Sequence, residues 1–134
     1  MKIIYESNYQ TFNLNEEKSY LMAIWSEKSE KMVNEDFKNE MYAELEYVEK
    51  YQVKNYLIDT LNFRFIITPT LQEWTDQHIN TKLDKLGLQK LAYIVSEDFV
   101  SQLSIKQTMN ESKKENYATR FFASREEAEA WLLD

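Results

Sequence analysis

Hydroxyl, carboxylate and guanidinium side chains fall where the chain is predicted to pass from a strand into a loop or a helix. Asp59 ends one short apolar run and Thr60 follows it, while Ser96 follows a second apolar run at 91–95. In open α/β sheets, ligands usually bind beyond the carboxyl ends of parallel strands, where helix N-termini offer free backbone N–H groups. We therefore expect any binding site to draw on the following residues: Asp59, Thr60, Thr68, Thr70 and Ser96, with Arg64 and Arg120 as the cations that could reach them.

The same side chains have a structural interpretation. Thr68, Thr70 and Ser96 are residue types that commonly cap helix N-termini. The carboxylate of Asp59 could accept backbone N–H groups of the loop that follows it. These residue types at these positions favour capping and turn-forming roles over catalysis.

The chain offers little for catalysis or metal binding. His78 is the only histidine and there is no cysteine, so a nucleophilic relay would lack its partners. Glu44, Glu46 and Glu49 on the first helix are interpreted as a solvated face. One glycine cannot build a glycine-rich phosphate loop. We predict no catalytic residue, no metal site and no cofactor, and keep an enzyme built on Asp59 and a threonine as the weakest alternative.

The segment from Leu61 to Ile67 is unusually apolar for a connection between elements. It contains Phe63 and Phe65 on either side of Arg64, and such side chains are exposed unless something covers them. They could fold back as additional core or as a short strand. Alternatively, they could form a contact patch for a protein partner, a second subunit or an apolar small molecule.

Charge and composition limit the partners of the chain. Its 134 residues carry a net charge of -7, so the surface repels nucleic-acid phosphates and anionic lipids. The lack of cysteine is compatible with a reducing compartment, and no secretion signal is visible at the N-terminus. No apolar stretch reaches the roughly 18–20 residues of a membrane-spanning helix. We predict a single cytoplasmic domain over residues 1–134, with no nucleic-acid partner and no membrane span.

The first half of the sequence changes from strand to helical periodicity. Alternating apolar residues predict strands over 2–6, 11–14 and 20–25, the last two paired as a hairpin. A helix is predicted from Asn34, its expected N-cap, because apolar residues then recur every three or four positions. These residues are Phe37, Met41, Leu45 and Val48.

The second half alternates buried strands with helices. Strands are predicted at 56–58, 91–95 and 117–122. A helix should start either at Thr68, with Pro69 in its first turn, or one step later in a capping box from Thr70 to Glu73, and end at Gly87. Its predicted apolar face is Leu71, Trp74, Ile79, Leu83 and Leu86.

Two further helices complete the predicted order. Ser96 should cap a helix that buries Phe99, Leu103 and Met109, and a capping box at Ser124 should open the last helix. Successive β-α-β units imply parallel strands with right-handed crossovers. The predicted fold is α/β, with a mixed, mainly parallel sheet, an N-terminal antiparallel hairpin and about four helices.

This layout, with the runs 56–59, 68–70 and 120–128, resembles the STAS-like proteins related to bacterial anti-anti-sigma factors. The likeness covers nearly the whole chain and rests on element order and apolar pattern. It implies a phosphorylatable Ser or Thr at the start of the helix after a central strand, a place that Thr68 or Thr70 occupies here. The acidic residue before that acceptor and the glycine after it are both absent from this sequence. Looser relatives of the fold look like lipid-transfer domains, which implies apolar-ligand binding.

Two functional hypotheses follow. The first is a non-enzymatic regulatory or protein-interaction domain of STAS-like type, whose partner surface surrounds the loop before the second helix and could support a homodimer. The second is a binder or carrier of a small apolar or amphipathic molecule, which a preformed cavity of roughly 300 Å³ or more would favour. A filled core would favour the protein partner.

Overall fold

The computed structural model describes residues 1–101 and 116–134. Within these ranges, six strands form one mixed sheet in the order in which they occur along the chain. The strands are β1 (Lys2–Glu6), β2 (Gln10–Asn15), β3 (Tyr20–Trp25), β4 (Asn55–Asp59), β5 (Lys90–Ile94) and β6 (Ala118–Phe122).

Strand direction changes once across the sheet. β1 pairs antiparallel with β2 and β2 antiparallel with β3, whereas β3, β4, β5 and β6 run parallel. The tight β2–β3 turn forms because the Asn15 side chain accepts the Lys18 backbone N–H at 3.1 Å and Ser19 adopts a φ of 49°. The predicted hairpin and the predicted mixed α/β sheet are both confirmed.

The first long helix, α1 (Asn34–Lys50), follows a short 3₁₀ turn at Glu27–Lys31. Its predicted apolar stripe of Phe37, Met41, Leu45 and Val48 is buried. The prediction that Asn34 caps this helix is wrong by one position, because Asn34 is already helical. Asp36 instead accepts the Val33 backbone N–H at 2.9 Å, so the acidic residue of the first turn holds the chain entering the helix.

The second helical segment contains a π-helical turn. It consists of α2 (Pro69–Thr75), the π turn (Asp76–Asn80) and α3 (Thr81–Leu83). The Thr68 hydroxyl accepts the Leu71 N–H at 3.3 Å, which confirms the earlier of the two predicted starts. The predicted apolar face has a gap of five residues between Trp74 and Ile79, and a π turn accommodates the extra residue while keeping both on the inner side. The helix ends at Leu83 and not at Gly87 as predicted, so Leu86 lies in the turn that follows it. Gly87 has the expected left-handed φ of +84°.

Helices cover both faces of the sheet. α1, α2 and α3 lie over one face, and α5 (Arg125–Leu132) lies over the other against β4, β5 and β6. Residues 97–101 form the described part of helix α4, and Ser96 caps it by accepting the Phe99 N–H at 3.2 Å. The Ser124 hydroxyl caps α5 through the Glu127 N–H at 3.2 Å. The prediction that Phe99 is buried is wrong, because Phe99 is 45% exposed and its ring centroid lies 6.0 Å from that of Phe121 on the sheet. The other two predicted inner-face residues, Leu103 and Met109, lie outside the described residues.

Candidate functional site

A cavity of about 170 Å³ lies between the sheet and the helical layer formed by α1, α2 and α3. Strand pleating forms its floor, since Tyr56 and Ile58 of β4 point to the same face as Leu91 and Tyr93 of β5. Aromatic side chains make up much of the wall, which is typical of small-molecule sites. They are Trp25, Phe37, Tyr56, Phe63 and Tyr93.

The cavity contains a carboxyl group. Glu44 lines it from α1 and is only 6% exposed, so the prediction that Glu44 belongs to a solvated face is wrong. Glu46 and Glu49 are exposed, as predicted. Glu44 lies three residues after Met41 and four before Val48, which places it within the inward stripe of α1. That spacing was the signal in the sequence that could have identified Glu44 as buried.

Burial dominates the electrostatics of Glu44. It raises the pKa of the Glu44 carboxyl to about 7; neighbouring Tyr56 and Gln10 oppose the rise and Glu40 adds to it. Burial and the nearby Glu44 also raise the pKa of Tyr56 well above its ordinary value. Among the described residues, neither Glu44 Oε2 nor the Tyr56 hydroxyl completes a hydrogen bond. The site therefore combines an apolar wall with two polar groups that have hydrogen-bonding capacity left.

A second buried acid on α1, Glu40, is fully engaged. Its carboxylate accepts the Tyr5 hydroxyl at 2.7 Å and the Ser7 hydroxyl at 2.6 Å. The Gln10 side chain donates to the Glu40 backbone oxygen at 3.2 Å. Burial and the bond to Glu40 raise the pKa of Tyr5 to about 12. This group of hydrogen bonds joins the β1–β2 hairpin to α1.

The polar residues predicted at the end of β4 are held by the backbone. The Asp59 carboxylate accepts the Leu61 N–H at 3.0 Å, which is the turn-forming role expected from its position. Thr60 lines the cavity, and its hydroxyl donates to the Ile94 backbone oxygen at 2.7 Å. Asp59 itself does not line the cavity.

The apolar loop between β4 and α2 divides its side chains between core and solvent. Phe63 packs edge-on against Trp25 with ring centroids 4.8 Å apart, and Phe65 stacks on Phe37 at 5.2 Å. Leu61 is exposed, and Ile66 is 82% exposed. The two phenylalanines thus fold back onto the core, while Ile66 at the tip of the loop remains accessible.

The two predicted cations do not meet at the site. Arg64 is exposed and its guanidinium forms an ion pair with Glu27 at 3.5 Å. Its backbone N–H donates to the hydroxyl of buried Ser29 at 2.8 Å, which attaches the loop to the 3₁₀ turn. Arg120 lies on the α5 side of the sheet, where its guanidinium stacks over Trp131 at 5.6 Å.

The remaining predicted residues lie at helix starts or on the surface. Thr68 and Ser96 act as caps, and Thr70 is exposed in the first turn of α2. His78 is exposed in the π turn beside Trp74, with ring centroids 5.3 Å apart, in agreement with its predicted surface position. Gln72, Thr75 and Asn80 were not singled out from the sequence, yet they bring polar groups to the cavity from this helical segment.

The fold and the cavity define an α/β domain with a mixed sheet and a small, mainly apolar pocket on one face. No protein-family model, curated protein or solved structure matches the chain. Within residues 1–101 and 116–134, no three acidic or histidine side chains are grouped as metal ligands. None of the helices in the same ranges has the length and hydrophobicity needed to cross a membrane.

Proposed function

We propose that this domain binds a small, largely apolar molecule in the cavity beneath α1 and α2. The observation that carries the proposal is the presence of the buried Glu44 carboxyl and Tyr56 hydroxyl in an aromatic-walled cavity. Buried polar groups are nearly always hydrogen-bonded, and ligand pockets combine apolar walls with a few such groups. A ligand with one polar end would satisfy both features.

Cavity size limits the ligand. The volume of about 170 Å³ is below the roughly 300 Å³ that a drug-sized ligand needs, so it does not favour a lipid carrier. It is close to the roughly 150 Å³ of an engineered apolar cavity that holds benzene. The proposed ligand is therefore about the size of a single substituted ring.

Native mass spectrometry of the protein purified from its own host tests this proposal. We expect a small noncovalent adduct that is lost on denaturation. Ile79→Phe, which adds volume inside the cavity, should abolish the adduct. Arg120→Ala, on the opposite face of the sheet, should retain it.

Methyl NMR during titration with toluene tests the cavity independently of any natural ligand. We expect saturable shifts at the methyl groups of Ile58, Ile79 and Leu83, which all line the cavity. A titration that moves none of these methyl signals, together with the absence of an adduct, would overturn the proposal.

A second candidate is a regulatory or interaction domain of STAS-like type that acts in the cytoplasm. Its support is the exposed tip of the loop, where Ile66 is 82% exposed close in sequence to Thr68 and Thr70. Thr70 is the more accessible phosphoacceptor, because the Thr68 hydroxyl already caps α2. In both proposals the chain acts by binding and not by catalysis.

Intact-mass analysis distinguishes the second candidate from the first. A phosphate that maps to Thr70 or Thr68 would support a regulatory switch, and an unmodified chain under all growth conditions would exclude it. Sedimentation of the wild-type protein and of Ile66→Asp tests pairing of two copies through the loop. A dimer that the substitution leaves intact would exclude the loop as its interface.

A further inference from the structure

We propose that the ligand of this cavity is a small primary or secondary amine, bound as its ammonium ion against Glu44 with its apolar part among the aromatic walls. This inference rests on the proposed function and adds the chemical class of the ligand. It is argued from the charge of the cavity, from the hydrogen-bonding groups that line it and from its aromatic surface.

The charge of the cavity favours a cation as its ligand. Glu44 is the only carboxyl among the described lining residues, and those residues include no lysine, arginine or histidine. A buried carboxylate without a counter-charge is costly, and a bound cation offsets that cost while an anion would add to it. An ammonium ion next to Glu44 supplies the missing charge.

The hydroxyl groups that line the cavity provide the second argument. The Thr60 hydroxyl donates its proton to the Ile94 carbonyl at 2.7 Å, and the Thr75 hydroxyl donates to the Leu71 carbonyl at 2.9 Å. A hydroxyl has one proton to donate, so both oxygens are left as acceptors. Glu44 Oε2 has no partner among the described residues and adds a third acceptor.

Two amide side chains on the helical segment follow the same pattern. The amide nitrogens of Gln72 and Asn80 both donate to Asp76, at 3.2 and 2.7 Å. One N–H of each amide is thus directed at a carboxylate that does not line the cavity. The amide oxygens of Gln72 and Asn80 add acceptors to those of Thr60, Thr75 and Glu44, and acceptors match an ammonium ion because that ion carries only donors.

The aromatic surface suits the same ligand. Trp25, Phe63 and Tyr93 line the cavity, and the faces of such rings attract cations as well as apolar groups. A ring or short alkyl chain attached to the ammonium group would occupy the apolar part of the wall.

A proton and the ligand's ammonium group compete for the carboxylate of Glu44, so binding should depend on pH. Burial raises the pKa of Glu44 to about 7, so a proton occupies the carboxyl below that pH. The other ionisable groups facing this region are Glu40 on α1, Tyr5 on β1, Tyr56 on β4 and Tyr93 on β5. Ammonium binding should displace the proton from Glu44 and strengthen as pH rises through about 7.

Isothermal titration with benzylamine and its neutral isostere benzyl alcohol tests the inference. At about pH 8, benzylamine should bind about tenfold tighter than benzyl alcohol, as expected for one buried charge-assisted contact. Benzylamine affinity should fall between about pH 8 and pH 6, where Glu44 becomes protonated, while benzyl alcohol affinity should not.

Matched variants separate the role of Glu44 from the general charge of α1. Glu44→Gln should lower benzylamine affinity about tenfold and leave benzyl alcohol unaffected. Glu46→Gln removes an exposed charge from the same helix and should change neither affinity. The pH series on the wild-type protein gives the same information without any substitution.

The outcomes distinguish this inference from the proposed function. Equal binding of the two compounds, with no pH dependence, would overturn the amine assignment and leave a small-molecule site. If neither compound bound and toluene did not shift the cavity methyl groups, both the inference and the proposed function would be overturned.

Discussion

The carboxyl group of Glu44 on α1 and the phenol of Tyr56 on β4 face the same cavity, and each alters the protonation of the other. Tyr56 lowers the pKa of Glu44, whereas Glu44 raises that of Tyr56. Tyr56 is 1% exposed, so the pair is removed from solvent on both sides. A protein that stabilised only its fold would gain from apolar side chains at these positions.

Glu44→Gln should stabilise the protein at alkaline pH. The pKa of Glu44 is about 7 in the folded state and near its ordinary value of 4.5 in the unfolded chain. The folded state therefore binds the extra proton, so the contribution of Glu44 to stability is fully present below about pH 4.5 and is lost as pH rises through about 7. The penalty at about pH 8 is on the order of 3 kcal/mol, and glutamine removes it.

Urea unfolding of wild type and Glu44→Gln at about pH 5 and pH 8 measures this effect. Comparing the two proteins at each pH cancels the other carboxylates, which titrate in both. Glu46→Gln is the control and should follow wild type at both pH values. A constant difference between wild type and Glu44→Gln across this range would contradict the raised pKa.

Thr68→Ala should destabilise the fold by about 1 kcal/mol, because it leaves the Leu71 N–H at the start of α2 without its side-chain acceptor. Thr68→Ser keeps a hydroxyl oxygen and should recover most of that loss. Thr70→Ala, in the exposed first turn, should stay within about 0.5 kcal/mol of wild type. Chemical denaturation compares the four proteins, and equal effects at Thr68 and Thr70 would argue against the observed cap.

Phe65→Ala should cost about 2–3 kcal/mol, since it removes a ring stacked on Phe37 of α1. The neighbouring Ile66→Ala is the matched control, because Ile66 is 82% exposed and should be replaceable at little cost. Thermal unfolding of the two variants measures the difference. Comparable melting temperatures would mean that the loop does not pack against α1 in solution.

Gly87→Ala should destabilise by about 1 kcal/mol through backbone conformation and not through crowding. The φ of Gly87 is +84°, and an added Cβ would meet only the flexible end of Lys54, its Nζ atom, at 3.3 Å. Gly87→Asn should cost less than alanine, because asparagine tolerates the left-handed region better. Urea midpoints of the three proteins provide the measurement, and an asparagine variant less stable than alanine would contradict a conformational origin.

Much of the fold could be predicted from the sequence because its signals are local. The capping residues Thr68 and Ser124 act on backbone N–H groups three positions away, and Gly87 occupies a conformation that other residues avoid. Strand and helix periods are similarly short-range properties. The antiparallel pairing of β1, β2 and β3 then follows from short turns, and the parallel pairing of β3, β4 and β5 follows from the helices that connect them.

The candidate site was harder to predict. Glu44 and Glu46 are the same residue type on the same helix, yet Glu44 is buried and Glu46 is exposed. Glu44 loses contact with solvent only when α1 packs on the sheet. Neither of the predicted cations lines the cavity. Arg64 pairs with Glu27 at the surface, and the alternation of side chains along β6 directs Arg120 to the α5 face. Composition alone does not assign a side chain to either face.

The sequence by itself therefore determined most of the strands and helices, the caps at Thr68, Ser96 and Ser124 and the mixed α/β sheet, since these depend on residues a few positions apart. Only the tertiary structure decided that Phe63 and Phe65 pack inward while Ile66 does not, and that Glu44 and Tyr56 share a cavity. Those outcomes depend on how closely two layers approach and on the space left between them. That space is set by contacts between residues far apart in the sequence. The hydrogen bond from Tyr5 to Glu40 is an example, since it joins residues 35 positions apart.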